Sequence, residues 1–151
     1  MYRQCHVMAK PGGAKCNIDC KYCFYHEKQS LYPQRKQHWK MSEETLEEYV
    51  KQHIAAQHSH PVTFSWQGGE PLLLGLPFFK RVVELCQRYG QGVKITHTLQ
   101  TNGILLNEEW ATFLAQHRFM VGLSVDGPET LHDRYLSLIH ISEPTRHAQI
   151  S

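Results

Sequence analysis

Three cysteines stand close together, Cys16, Cys20 and Cys23, at C-x3-C-x2-C spacing. Tyr22 precedes the last of them, and Phe24 and Tyr25 follow it. Thiolates are soft metal ligands, and a short loop that carries three of them has the pattern of a metal site. The odd number is informative. A structural zinc ion takes four protein ligands in a closed shell, and iron–sulfur clusters are held by thiolates, usually four. Three thiolates on a 4Fe–4S cluster leave one iron without a protein ligand, open to a small molecule. Zinc remains the alternative, with His26 as a fourth ligand at C-x2-H spacing.

Two further cysteines lie outside the loop. Cys86 falls on the apolar side of a helical pattern and reads as a small buried hydrophobe; nothing in the sequence decides the role of Cys5. Five cysteines, three of them clustered, argue against a secreted disulfide framework and for metal in a reducing compartment. The N-terminus lacks a signal peptide's apolar core, and no apolar run approaches the ~20 residues needed to cross a bilayer. A cytoplasmic protein is expected. Its 151 residues suit one domain, and 41% hydrophobic and 20% charged residues are ordinary for a globular chain. A formal charge of +2 without long runs of one sign asks for neither nucleic acid nor an anionic membrane.

The elements that would position the cysteines follow from periodicity. His6–Ala9 suits a short first strand, leading through Lys10-Pro11-Gly12-Gly13 into the cysteine loop. A polar stretch ends at Ser42, a good N-cap, and Leu46, Tyr49, Val50, His53 and Ile54 give the following helix one buried face. Val62–Trp66 alternates in β-branched and aromatic residues and predicts a strand. A second helix covers about Pro77–Tyr89, stopped by Gly90 and Gly92. A third strand runs Lys94–Gln100; Asn107 caps a third helix, Glu108–Gln116; a fourth strand spans Phe119–Val125. Strands alternating with helices over short connections mean βαβ units and a parallel sheet. Ligands in such sheets bind beyond the carboxyl ends of the strands. Every polar or glycine-rich motif falls there: the cysteine loop, Gly68-Gly69-Glu70, Thr101-Asn102-Gly103 and Ser124-Val125-Asp126-Gly127.

Each of these motifs also has a plain structural reading. Gly68-Gly69-Glu70 offers close backbone approach and one carboxylate, suited to a ligand ammonium, yet a GGEP run is also only a turn before a helix. Asn-Gly in Thr101-Asn102-Gly103 is an ordinary turn dipeptide. Ser124 and Asp126 could bond ribose hydroxyls, although Asp-Gly-Pro is a plain turn too. The 11 histidines are scattered, without the i, i+4 pairing of a second metal site, and none is assigned a role.

Cys16-x3-Cys20-x2-Cys23, with Tyr22 before the last cysteine, resembles the signature of the radical S-adenosylmethionine (radical SAM) superfamily. The longer run from Met8-Ala9-Lys10-Pro11 through Cys23-Phe24-Tyr25 resembles a narrower group, the anaerobic sulfatase-maturating enzymes. So do Trp66-Gln67-Gly68-Gly69-Glu70-Pro71, Leu99-Gln100-Thr101-Asn102-Gly103, and Gly122–Pro128 with His132-Asp133. The likeness covers about residues 5–135. It implies the first four β/α units of a partial parallel β/α barrel of the radical SAM type. It implies further that Cys16, Cys20 and Cys23 hold a 4Fe–4S cluster, whose open iron is chelated by S-adenosyl-L-methionine. Gly68, Gly69 and Glu70 would hold the methionine ammonium, Ser124 the ribose, and Tyr22 would join the cofactor contacts; Tyr25 and Gln67 would face the substrate. In that family a 5′-deoxyadenosyl radical oxidises a cysteine or serine of a sulfatase polypeptide to Cα-formylglycine, with electrons from a donor such as flavodoxin or ferredoxin.

After Tyr135 the likeness stops. The family places an arginine where this chain has Leu136, and Leu138–Arg146 looks like translated adaptor read-through. Residues 1–135 therefore read as a truncated radical SAM core domain and 136–151 as a non-native or disordered tail. The catalytic proton acceptor and two auxiliary clusters are expected in a missing C-terminal part. Such a fragment would be inactive alone and would expose its last strand as an unprotected edge. Two other functions stay open: a radical SAM maturase that installs thioether or carbon–carbon links in another peptide, and a zinc-binding interaction module.

Overall fold

The computed structural model describes residues 5–25, 28, 30–31, 38–57, 61–125 and 127. In chain order it contains β1 (Met8–Ala9), α1 (Glu43–Ala56), β2 (Val62–Trp66), a short 3-10 helix (Pro71–Leu74), α2 (Leu76–Tyr89), β3 (Ile95–Thr101), α3 (Glu108–Gln116) and β4 (Phe119–Leu123). The four strands make one parallel sheet in the order β1-β2-β3-β4. This is the α/β architecture that the sequence pattern implies.

Local chemistry explains the boundaries. Ser42 accepts a hydrogen bond from Thr45 N (3.2 Å) and starts α1, with Glu43 and Glu44 in its first turn. Asn107 does the same for α3, accepting from Trp110 N at 2.9 Å. Between the 3-10 helix and α2 the backbone turns at Gly75, whose φ of 83° lies in the region that glycine enters without strain. α2 ends at Gly90, whose N–H caps Cys86 O.

The helices cover one face of the sheet. Phe64, Trp66 and Leu99 point into that core, and Trp66 meets Tyr49, Phe78 and Phe79 edge-on at about 6 Å between ring centres. Because strand side chains alternate, the same strands turn hydroxyls to the other face. There Thr63 bonds Thr96 across 2.9 Å, Thr98 donates to Ser65 at 3.0 Å, and His6 lies 3.3 Å from the same Ser65 hydroxyl. One face is aromatic and dry, the other polar. The hydroxyl face and the carboxyl ends of the strands are the surfaces left for chemistry.

β2 and α3 have the bounds read from the sequence, and α2 starts one residue earlier, at Leu76. β1 is shorter than His6–Ala9, because only Met8 and Ala9 find partners, Ser65 and Trp66, on β2. β3 is shifted by one residue and β4 ends at Leu123, each following the register that pairs Thr101 with Leu123. The 3-10 helix was not anticipated. Among the described residues no helix is long and apolar enough to cross a membrane.

Candidate functional site

The cysteine loop is built against the turn after β2. Gly13 N closes on Lys10 O (2.9 Å) and Lys15 N on Gly12 O (3.2 Å), which folds the segment before Cys16 into consecutive turns. The chain then runs beside the Gly68-Gly69 turn as an irregular extension of the sheet. Gln67 N donates to Ala9 O (3.0 Å), Gly69 N to Gly13 O (2.9 Å) and Glu70 N to Lys15 O (2.8 Å). A Cβ on Gly69 would stand 2.0 Å from Lys15 O, and one on Gly68 2.7 Å from Gly13 O, where φ is also +133°. The two glycines are therefore required by the approach of the cysteine loop itself.

Beyond Cys16, a turn closed by Cys23 N to Cys20 O (3.0 Å) carries Lys21 and Tyr22 at its exposed tip. Cys20 is buried, and Cys16 and Cys23 are half-buried. Burial pushes the Cys16 thiol above its ordinary range, and the nearby Glu70 carboxylate and Cys23 push the same way. The main-chain N–H groups of Ile18 and Asn17 oppose them. Among the described residues no three metal-ligating side chains converge on a single ion.

Glu70 is 1% exposed and fully surrounded by protein. Its Oε1 accepts from Leu72 N (2.9 Å) and Thr101 Oγ1 (2.8 Å), and its Oε2 accepts from Asn102 N (2.8 Å). Three of the four acceptor positions on the carboxylate are engaged by the chain, so Glu70 first of all ties the β2 turn to the end of β3. The carboxylate is thus turned to the chain itself, and what this turn leaves half-buried is the backbone of Gly68 and Gly69. Asn102 extends the tie to the cysteines: its Nδ2 donates to Asn17 Oδ1 (2.8 Å) and lies 3.8 Å from Cys16 Sγ. The sequence places Thr101 and Asn102 on the rim, as a ligand-side motif or a plain turn, without assigning either a partner. Their partners stand 31, 32, 85 and 86 residues away, where no local pattern reaches.

The other expected contacts are more dispersed. Ser124 joins the rim through its N–H to Thr101 O (2.9 Å), and its hydroxyl accepts from Gln100 Nε2 at 3.0 Å. Gly122 makes room for that bond, since a Cβ there would sit 2.3 Å from Gln100 Oε1. Gln67 lies half-buried and donates to Met8 Sδ. Tyr25 is half-buried with Lys10 Nζ 4.9 Å above its ring. Tyr22 stays 56% exposed. Cys86 is buried, which pushes its thiol up to about 12, and it plays the small-hydrophobe role expected of it. Cys5 is exposed and held by Gln57 Nε2, 3.3 Å from its sulfur. His26, Asp126, His132, Asp133, Tyr135, Leu136 and the tail 136–151 lie outside the described residues.

The donor set fits the cofactor pair that the sequence suggests: three thiols on one short loop, backed by bare backbone and an anchored amide. A parallel α/β sheet with such a loop at its carboxyl rim is a scaffold for a thiolate-held cofactor. The chain belongs to the radical SAM superfamily, whose family model matches residues 11–146. A serine-type anaerobic sulfatase-maturating enzyme of Bacteroides thetaiotaomicron is 44% identical over 130 residues, which cover 86% of this chain and 31% of that protein. A cysteine-type anaerobic sulfatase-maturating enzyme of Clostridium perfringens is likewise 44% identical over 130 residues, covering 84% and 34%. The solved structure of native anSMEcpe with bound AdoMet and Cp18Cys peptide matches with a TM-score of 0.73 at 41% identity, over 83% of this chain and 32% of that one. The chain thus spans about a third of the length of these curated relatives.

Proposed function

We propose that this chain carries the cluster- and SAM-binding part of an anaerobic sulfatase-maturating enzyme, with residues 1–135 as that unit. The observation that carries the reading is the clamp at the rim, where the Cys16 loop, the Gly68-Gly69 backbone and Glu70 share one hydrogen-bonded frame. Cys16, Cys20 and Cys23 hold the 4Fe–4S cluster and leave one iron for the methionyl end of SAM. The backbone of Gly68 and Gly69, braced by Glu70, receives the ammonium, Ser124 orients the ribose, and Tyr22 completes the cofactor contacts. Tyr25 and Gln67 face the sulfatase peptide. When bound, the pair of cofactors supplies a hydrogen-atom abstractor through one-electron cleavage of SAM.

The residues of this chain fix the geometry around that chemistry. The half-buried loop limits the access of water and oxygen to the thiolates, and the clamp fixes the distance between the β2 turn and the cysteines. The substrate is a sulfatase cysteine or serine, oxidised to Cα-formylglycine; the similarity to both serine-type and cysteine-type relatives keeps both residues in view. Reduction calls for a small donor such as flavodoxin or ferredoxin, in the reducing cytoplasm. The test is anaerobic reconstitution with iron and sulfide, followed by EPR of the reduced chain with and without SAM. The expected result is a 4Fe–4S signal that SAM perturbs and that Cys16→Ala abolishes. Zinc uptake in place of iron, with no response to SAM, would overturn the reading in favour of a metal-bound interaction module.

A further inference from the structure

We propose that Asn102 positions Cys16 and raises the electron affinity of the group it ligates, by directing a side-chain N–H at its sulfur. The inference rests on the reading of Cys16 as a cluster ligand. Both ends of the Asn102 amide are engaged. Oδ1 accepts from Ile104 N at 3.1 Å, which sets the orientation of the amide. The two Nδ2 protons then serve Asn17 Oδ1 at 2.8 Å and Cys16 Sγ at 3.8 Å. The same residue is gripped at its backbone, where its N–H donates to the buried Glu70 Oε2 at 2.8 Å. Thr101, beside it, donates to Glu70 Oε1 (2.8 Å) and accepts from Gly103 N (3.0 Å). An amide fixed at both ends cannot swing away from the sulfur without breaking bonds in a buried network.

The chemical consequence follows from where charge accumulates. Reducing an iron–sulfur cluster adds one negative charge that its thiolate ligands share. A donor dipole aimed at a ligating sulfur stabilises that state and moves the potential upward. Asn102 stands between the Glu70 carboxylate and Cys16: its backbone N–H is held by Glu70 Oε2 at 2.8 Å, and its Nδ2 lies 3.8 Å from Cys16 Sγ. The backbone N–H groups of Ile18 and Asn17 also interact with this sulfur, but they belong to the loop itself. Asn102 reaches it from the residue that follows β3, so it both ties the loop to β3 and tunes the sulfur.

The experiment compares the wild-type chain, Asn102→Asp, Asn102→Ala and Thr101→Val after anaerobic reconstitution. Folding is checked by circular dichroism, loading by iron and sulfide content, and the midpoint potential by EPR-monitored titration. Asn102→Asp keeps the size and the acceptor for Ile104 N while removing the donor. The expected order of potentials is wild type highest, Asn102→Ala lower and Asn102→Asp lowest. Thr101→Val weakens the Glu70 tie without touching sulfur, so it should lower thermal stability and keep the wild-type potential. Folded Asn102 variants that lose the cluster, beside a Thr101→Val variant that keeps it, would support the positioning half of the proposal. A fully loaded Asn102→Asp with the wild-type potential would overturn the inference alone, as would a Thr101→Val shift of equal size. Failure of the wild-type chain to take up iron and sulfide would defeat the cluster reading and this inference together.

Discussion

Glu70 shows how one side chain can organise a rim. Its carboxylate receives three hydrogen bonds, from Leu72, Thr101 and Asn102, and it is almost wholly buried. Removing it leaves a buried N–H, a part-buried N–H and a buried hydroxyl without their acceptor, at about 1–3 kcal/mol for each group that finds no other. Glu70→Ala should therefore destabilise the chain by about 3 kcal/mol or more. Glu70→Gln keeps one acceptor oxygen but turns an NH2 toward a donor, and should cost about half as much. Urea denaturation of the three chains checks the order. A Glu70→Ala midpoint equal to the wild type's would mean that the carboxylate is dispensable to the frame and free for a ligand.

The strands and helices were largely readable because each carries its own signal. Val62–Trp66 alternates, and Asn107 and Ser42 are caps that act within three residues. The length of β1 was not readable, since it is set by how far β2 extends beside it. Nor was the double role of Gly68 and Gly69: the sequence announces permissive backbone, but only the passing Gly13–Lys15 segment shows why a Cβ cannot be accommodated. His97 is a further case of tertiary placement. Alternation on β3 puts its imidazole on the aromatic face, where Nδ1 accepts from Trp66 Nε1 (3.4 Å) and the ring stacks on Phe119 at 4.5 Å. Burial there lowers its pKa to about 4 from an ordinary 6.5, with His117 adding a smaller push. Between those values the unfolded chain binds a proton that the folded chain refuses. The stability tied to His97 is thus intact above pH 6.5 and is lost as the pH falls toward 4, by about 3 kcal/mol in all. Measured from pH 7.5 to pH 4, the stability of His97→Leu should fall less steeply than the wild type's, whatever its value at neutral pH. Parallel curves would show that the imidazole does not titrate in this way.

The sheet as a whole has two unlike edges among the described residues. β1 contributes two paired residues and passes directly into the Lys10–Gly13 turn. β4 contributes five, with Met120 71% exposed and Val121, Leu123 and Val125 also open to solvent. Among the described residues no strand pairs with the outer side of β4, and the apolar side chains beside it remove the charge that usually discourages pairing. The chain should therefore self-associate through β4 as its concentration rises. Light scattering after size-exclusion chromatography should report masses above the 17.6 kDa of one chain, and Met120→Lys combined with Leu123→Lys should restore that mass. These two residues lie on opposite faces of one strand, so the pair places charge on both sides of the edge without altering the core. A wild-type chain that stays monomeric at every concentration would mean that β4 is covered. Association that persists in the double variant would move the contact away from this edge, and the cysteine loop with its exposed Tyr22 and Phe24 would be the next surface to change.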